Sequence, residues 1–360
     1  MDDLHLDVAL LRSRVPNLTV AARAAGLRPA TVSNLCTGKI PIGRAEVRTL
    51  ALLASLAGCT MDELVLRGGK LGMIETGIKA LDLLAPVVRG GTVGLVARPG
   101  TGQMALLAEL LHRLRKKRFA TVYWKPVEES VGVAEAVQES ESSCGAMEEV
   151  YRKIVEDSEN RDVVVGADRT TVLSGELFAL RERLVAAGIR PVTTILVDAR
   201  GEAADEETPY GPLDTYVRFD AELTTRGCYP SLDPVASTST YLEGAHLEPA
   251  HALVQQQARR LLRRYRELRP LVIAGREALL SERERSDYDR GERLEAYLTQ
   301  PFFIAEPYTG KAGEWVPLRH TVEDVRAILE GEADRRSLAS LTFRGSLERA
   351  SIRKEGADEQ

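Results

Sequence analysis

Apolar and polar positions change rhythm twice along the chain. Up to about residue 70 the apolar residues recur in short runs at helical spacing. From Leu71 to about residue 240, compact apolar runs of strand length alternate with helical patterns. "GTVGLVA", "FATVYWKP" and "TTILVD" read as buried strands, and "ALLAELLHRLRKK" as a helix. Such alternation predicts a mostly parallel sheet covered on both faces. Beyond residue 240 helical patterns dominate, as in "AHALVQQQARRLLRRYREL" and "DRGERLEAYL". The expected layout is multidomain: an all-α domain over 1–70, an α/β fold over 71–240 and a helical C-terminal domain over 241–348. A disordered tail is expected over 349–360.

Residues 17–39 read "NLTVAARAAGLRPATVSNLCTGK". An Ala-rich helix ends at Gly26, which suits the left-handed turn that closes a helix. Pro29 then stands in the first turn of a second helix, where proline is tolerated. Val20, Ala24, Leu27, Val32 and Leu35 are expected on the shared inner face, leaving Thr31, Ser33 and Asn34 outward. A helix over Leu4–Arg14, another over Ala45–Leu56 and one begun by a Thr60–Glu63 capping box complete five helices. Short helix, Gly-containing turn, short helix with a polar outer face is the helix-turn-helix pattern.

Composition narrows the function classes. With 44% hydrophobic and 28% charged residues in 360, two or three packed domains are expected. No run approaches the roughly 18 apolar residues of a membrane span, and "MDDLHLDVALLRSRV" lacks the marks of a signal peptide. A cytoplasmic location follows. Cys36, Cys59, Cys144 and Cys228 are far apart and the five histidines are scattered, so no metal site or disulfide framework is expected. The first 70 residues hold nine Lys and Arg against six Asp and Glu, while the remainder holds 39 against 47. A basic head on an acidic body is compatible with nucleic-acid binding by the head.

The first block resembles the Cro/phage-repressor family of DNA-binding domains. The carrying residues are Ala21 and Gly26, then Thr31, Val32 and Ser33, "TGK" at Thr37–Lys39 and "DEL" at Asp62–Leu64. The resemblance implies that the helix Pro29–Cys36 enters the major groove. Pro29 would open it, Ala30, Thr31, Ser33 and Asn34 would face base edges, and Arg28 and Lys39 would lie near phosphates. The helix carries no arginine or lysine, the commonest specific base-reading side chains.

The stretch "IETGIKALDLLAPVVRGGTVGLVARPGTG" closely resembles the catalytic beta subunit of F-type ATP synthase, a RecA-like P-loop fold, through its phosphate loop. The likeness resumes at "LDTYVRFDAELTTRGCYPSLDPVASTS" and "LTQPFFIAEPYTGKAGEWVPL". It implies a nucleotide site at Arg98, Gly100, Thr101, Gly102, Gln103 and Met104, with Tyr229, Tyr297 and Phe302 as adenine-side aromatics. Glu128 matches the carboxylate that activates water, and Asp198 the one that holds magnesium through water. Gln103, however, stands at the phosphate-binding lysine and Met104 at the magnesium-binding hydroxyl. Glu129 occupies an arginine position, and Arg98 is a charge that could partly substitute for the lysine. The connection "ARGEAADEETPYGPL" replaces a long family insertion and reads as a solvated acidic loop.

These departures imply a catalytically inactive ATPase fold that requires no cofactor, with weak ATP or ADP binding left open. The leading expectation is a transcription regulator that binds double-stranded DNA and uses its body to form homo-oligomers. A DNA-coating assembly protein and a residual ATPase or ring motor are the alternatives. The basic stretches His112–Arg118 and Ala258–Arg269 read either as extra DNA contacts or as solvated helical faces.

Overall fold

The computed structural model describes residues 4–6, 8–15, 17–37, 39–40, 42–67, 72–128, 130–243 and 247–347. In chain order, the first 67 residues hold strand β1 (Leu4–Leu6) and helices α1 (Val8–Arg14), α2 (Leu18–Ala24) and α3 (Pro29–Cys36). Helices α4 (Val47–Ala57) and α5 (Met61–Leu64) and strand β2 (Val65–Arg67) complete the segment. β1 pairs antiparallel with β2, so the segment expected to be helical from Leu4 opens as a strand and turns helical at Val8. Leu11, Ala22, Val32, Leu35, Leu53 and Leu64 close a core among themselves.

The inner face of α2 is rotated from the expected one. Ala22 is buried with Leu18 and Ala21 beside it, whereas Val20 is 62% exposed and Ala24 is exposed too. Leu18, Ala21 and Ala22 stand at i, i+3 and i+4, a complete stripe built from small side chains. An alanine stripe lets the neighbouring helix come close, and the larger Val20 is left outside.

The rest of the chain begins with β3 (Met73–Ile74), α6 (Lys79–Leu84), β4 (Val87–Val88), β5 (Thr92–Val96) and α7 (Gln103–Lys116). Then come β6 (Ala120–Trp124), α8 (Val133–Glu139), β7 (Ser142–Cys144), α9 (Met147–Ser158) and β8 (Val163–Asp168). α10 (Thr170–Leu173), α11 (Glu176–Ala186), β9 (Thr193–Val197), β10 (Thr215–Arg218), α12 (Ala221–Thr225) and β11 (Thr238–Ser239) follow. The chain continues through α13 (Pro249–Ile273), α14 (Glu282–Leu298), α15 (Glu306–Thr309), α16 (Leu318–Glu330) and α17 (Leu338–Leu341).

Seven strands form one sheet in the order β11-β10-β5-β9-β8-β6-β7, parallel throughout except for β11. Strand alternation sorts side chains onto two faces. Tyr123, Val164, Ile195 and Val197 join Leu107 and Leu111 of α7. Val122, Val165 and Leu196 join Ile154 of α9 and Leu180 of α11 on the other face. Apolar residues on both faces explain why β5, β6 and β9 read as unbroken hydrophobic runs.

Helix α6 is buried between two groups. Leu81 joins the sheet core, while Ala80, Leu83 and Leu84 pack with Val254, Leu294, Tyr297 and Ile328 of the C-terminal helices. Among the described residues no helix is long and apolar enough to cross a membrane.

Candidate functional site

The sheet order puts the loop after β5 beside the end of β9, so residues 97–104 face Asp198. Gly100 (φ +77°) and Gly102 (φ +102°) take left-handed conformations, and α7 starts without a side-chain cap. Two left-handed glycines thus lead directly into the uncapped N-terminus of α7, where backbone N–H groups lack intrahelical partners. The side chains of the loop are committed elsewhere. Gln103 is 4% exposed, and its Nε2 donates to the backbone carbonyl of Asp198 at 3.4 Å. Met104 is 6% exposed and belongs to the sheet core, with Gly132 of the loop before α8 seated directly on its Cβ.

The carboxylates are spent on local backbone. Asp198 Oδ1 accepts from Arg200 N–H at 3.0 Å and Oδ2 from Ala203 N–H at 2.7 Å, with Arg169 Nη1 at 3.7 Å. Asp168, one strand over, accepts from Thr170 N–H at 2.9 Å and Ala199 N–H at 3.1 Å. Among the described residues no group of three or more His, Cys, Asp or Glu is arranged to hold a metal ion. The Glu128 side chain is 81% exposed and lies 3.5 Å from Arg200 Nη1. Glu129 and the tail 349–360 lie outside the described residues.

Arg98 is engaged in an ion pair. Its Nη2 pairs with Asp205 Oδ1 at 3.0 Å, on the surface. The connection after Asp198 that carries Asp205 also departs from the solvated loop expected of it. Ala203 and Tyr210 are buried, and the Tyr210 hydroxyl donates to Leu95 O at 2.8 Å. Tyr210 and Leu213 press on Gly94 in the middle of β5, where any Cβ would collide with them. The acidic residues between those anchors stay exposed, so the segment is amphipathic despite its composition.

The three aromatics separate. Tyr229 is 39% exposed and its ring lies beside Gly102, with Ser231 Oγ donating to Thr101 O at 2.6 Å. Thr101 itself is buried, its hydroxyl donating to Arg98 O at 2.8 Å. Phe302 is buried in the core that contains Met104. Tyr297 is fully buried among the C-terminal helices, its hydroxyl donating to Asp324 Oδ2 at 2.9 Å. Tyr297 is therefore a core residue. Gly132, Gly201 and Ser231 all close on the loop, yet the sequence did not single them out. They come from three separate connections and share no motif.

The second candidate surface is α3. Asn17 Oδ1 accepts from Val20 N–H at 3.2 Å to begin α2, and Leu27 N–H returns to Ala22 O at 2.8 Å across Gly26 (φ +78°). Pro29 then opens α3. Val32 and Leu35 are buried, Ala30 and Ser33 are exposed, and Thr31 and Asn34 are half-buried. Among the described residues no hydrogen bond engages the side chains of Thr31, Ser33 or Asn34, and Arg28 and Lys39 are exposed without an ion pair. Their donors and acceptors are free for a ligand.

The two basic stretches are largely consumed within the fold. Arg113 is buried, paired with Glu109 at 2.6 Å and donating to Gly77 O and Glu314 O. Arg115 reaches Glu139, while Lys116 and Lys117 lie over the rings of Phe303 and Trp315. On α13, Arg259 donates to Leu84 O, Arg264 pairs with Glu284, Arg266 with Asp233 and Arg269 with Glu222. Arg260 and Arg263 remain, in a cleft of about 810 Å³ that also contains Asp287 and Glu330. No protein-family model matches the chain.

Proposed function

We propose that the protein is a sequence-specific DNA-binding transcription regulator whose body is a catalytically inactive ATPase-like frame. The observation that carries this reading is α3. A short helix held by Val32 and Leu35 presents Ala30, Thr31, Ser33 and Asn34, with Arg28 and Lys39 at its two ends. That arrangement suits a helix-turn-helix whose second helix reads base edges while flanking cations meet phosphates.

The body supports the inactive half of the reading. A mostly parallel sheet of this order is compatible with a RecA-like fold. Gln103 and Met104 are packed and Asp198 is saturated by its own turn, which argues against holding magnesium or a triphosphate for hydrolysis. ATP or ADP would be held weakly, by backbone amides and Tyr229. The partners in this reading are double-stranded DNA and further copies of the chain, and pairing of copies tightens binding to paired half-sites.

Selection from a random duplex library tests it. Enrichment of a defined motif, bound with or without ATP, is the expected result. Binding that tracks only salt, or none, sets the reading aside.

A further inference from the structure

A crevice of about 260 Å³ opens at the amino-terminal edge of the sheet, where β5 and β9 begin. The loop after β5 lies at the opposite edge, so the crevice is separate from the phosphate-loop region. Its floor is apolar, built from Ile154 of α9, Val165 of β8 and Leu177, Leu180 and Leu184 of α11. Two guanidinium groups line its rim, Arg181 and Arg190, and among the described residues no acidic side chain lines it.

Neither arginine is used up by the fold. One Arg181 nitrogen, Nη2, donates to Thr92 Oγ1 at 2.7 Å, and among the described residues its other donors are unengaged. Asp214, the acid whose charge acts on Arg181, is itself held by Thr92 N–H at 2.8 Å. Arg190 is exposed and, among the described residues, has no ion pair or hydrogen bond. A concave apolar floor with a few convergent polar groups at its mouth is the usual construction of a small-molecule site. Here the charged groups are both guanidinium, the geometry that matches a carboxylate through paired hydrogen bonds, and the remaining polar side chains are the hydroxyls of Thr92 and Thr194.

We propose that this crevice binds a small amphiphilic carboxylate, its aliphatic or aromatic body on Leu177, Leu180 and Leu184 and its head on Arg181 and Arg190. The volume limits the body to a short chain or a single ring. A nucleotide is disfavoured, because its polar base and sugar would meet an apolar floor.

Calorimetric titration of the full-length protein with hexanoate and with phenylacetate tests the assignment, with hexanamide as the uncharged counterpart. At least one acid is expected to bind, and hexanamide to bind about tenfold more weakly or worse. Arg190→Gln, at an exposed position, is expected to weaken the acid by a similar factor while leaving the thermal midpoint of the free protein unchanged; Arg181→Lys, which keeps the cation but loses the planar fork, is expected to weaken the acid as well. Replacing Val185, exposed at the rim, by Trp should weaken acid and amide alike. No heat from either acid up to 10-millimolar order, equal affinity for acid and amide, or arginine variants that bind like the parent would each overturn the proposal.

Discussion

Gly132 rests on Met104. The backbone before α8 comes so close that a Cβ at position 132 would overlap the Met104 side chain, and Gly132 holds φ at +88°. The methionine is packed into the sheet core, and the neighbouring connection is moulded to it. Gly132→Ala faces both strain and overlap. It should destabilise the protein by roughly 1–3 kcal/mol, read as a lower urea midpoint at unchanged slope.

On the inactive ATPase-like reading proposed above, placing a lysine and a hydroxyl in the loop should not produce turnover. In a Gln103→Lys/Met104→Thr variant, Asp198 would still accept from Arg200 and Ala203, and Glu128 would still lie exposed beside Arg200. Tighter ADP binding is expected, together with magnesium-dependent phosphate release no faster than in the parent. Loss of the buried methionine should also cost roughly 1–3 kcal/mol of stability. Measurable hydrolysis in this variant would show that the rest of the site is still competent.

Lys79 gives a pH signature. It is buried under Tyr297, donates to Arg344 O at 2.6 Å, and burial brings its amine down to about 7 against the opposing pull of Glu314 and Asp324. In the unfolded chain the amine titrates near 10.4. Between those values the unfolded state carries the extra proton, so stability rises with pH from about 7 to about 10 and is flat in this contribution below 7. The difference in unfolding free energy between the parent and Lys79→Met should grow by roughly 3–5 kcal/mol across that window. A difference independent of pH would contradict the burial effect.

Side chains on the two faces of α3 should separate stability from binding. Leu35→Ala, in the core, is expected to cost roughly 2–5 kcal/mol in chemical unfolding. Ser33→Ala and Asn34→Ala should change stability by less than about 0.5 kcal/mol while weakening the selected duplex.

Three strands of the sheet, β5, β6 and β9, were legible because each is an unbroken apolar run of strand length buried on both faces, whereas β8, equally buried, was not singled out. Gly26 and Pro29 marked the α2–α3 turn for equally local reasons, one through left-handed backbone and the other through a fixed φ. What stayed hidden depended on partners distant in the chain. The inward face of α2 was misplaced because alanine carries little pattern, and only packing decides between Val20 and Ala22. The connection after Asp198 is acidic in composition, yet Ala203 and Tyr210 anchor it to the sheet. Arg98 was legible as a charge near the loop, but its pairing with Asp205 spans 107 residues of chain. The crevice rim left no trace either, since Arg181 and Arg190 acquire meaning only from an apolar floor that α11 builds together with α9 and β8.

The most direct measurement is a mobility shift on the selected duplex with the parent protein and with Ser33→Glu, which places a carboxylate on the exposed face of α3. The account predicts a specific complex for the parent, with or without ATP, and at least tenfold weaker binding for the variant at unchanged stability. Equal binding by the two proteins, or no specific complex with the parent, would contradict the assignment of α3 as the reading helix.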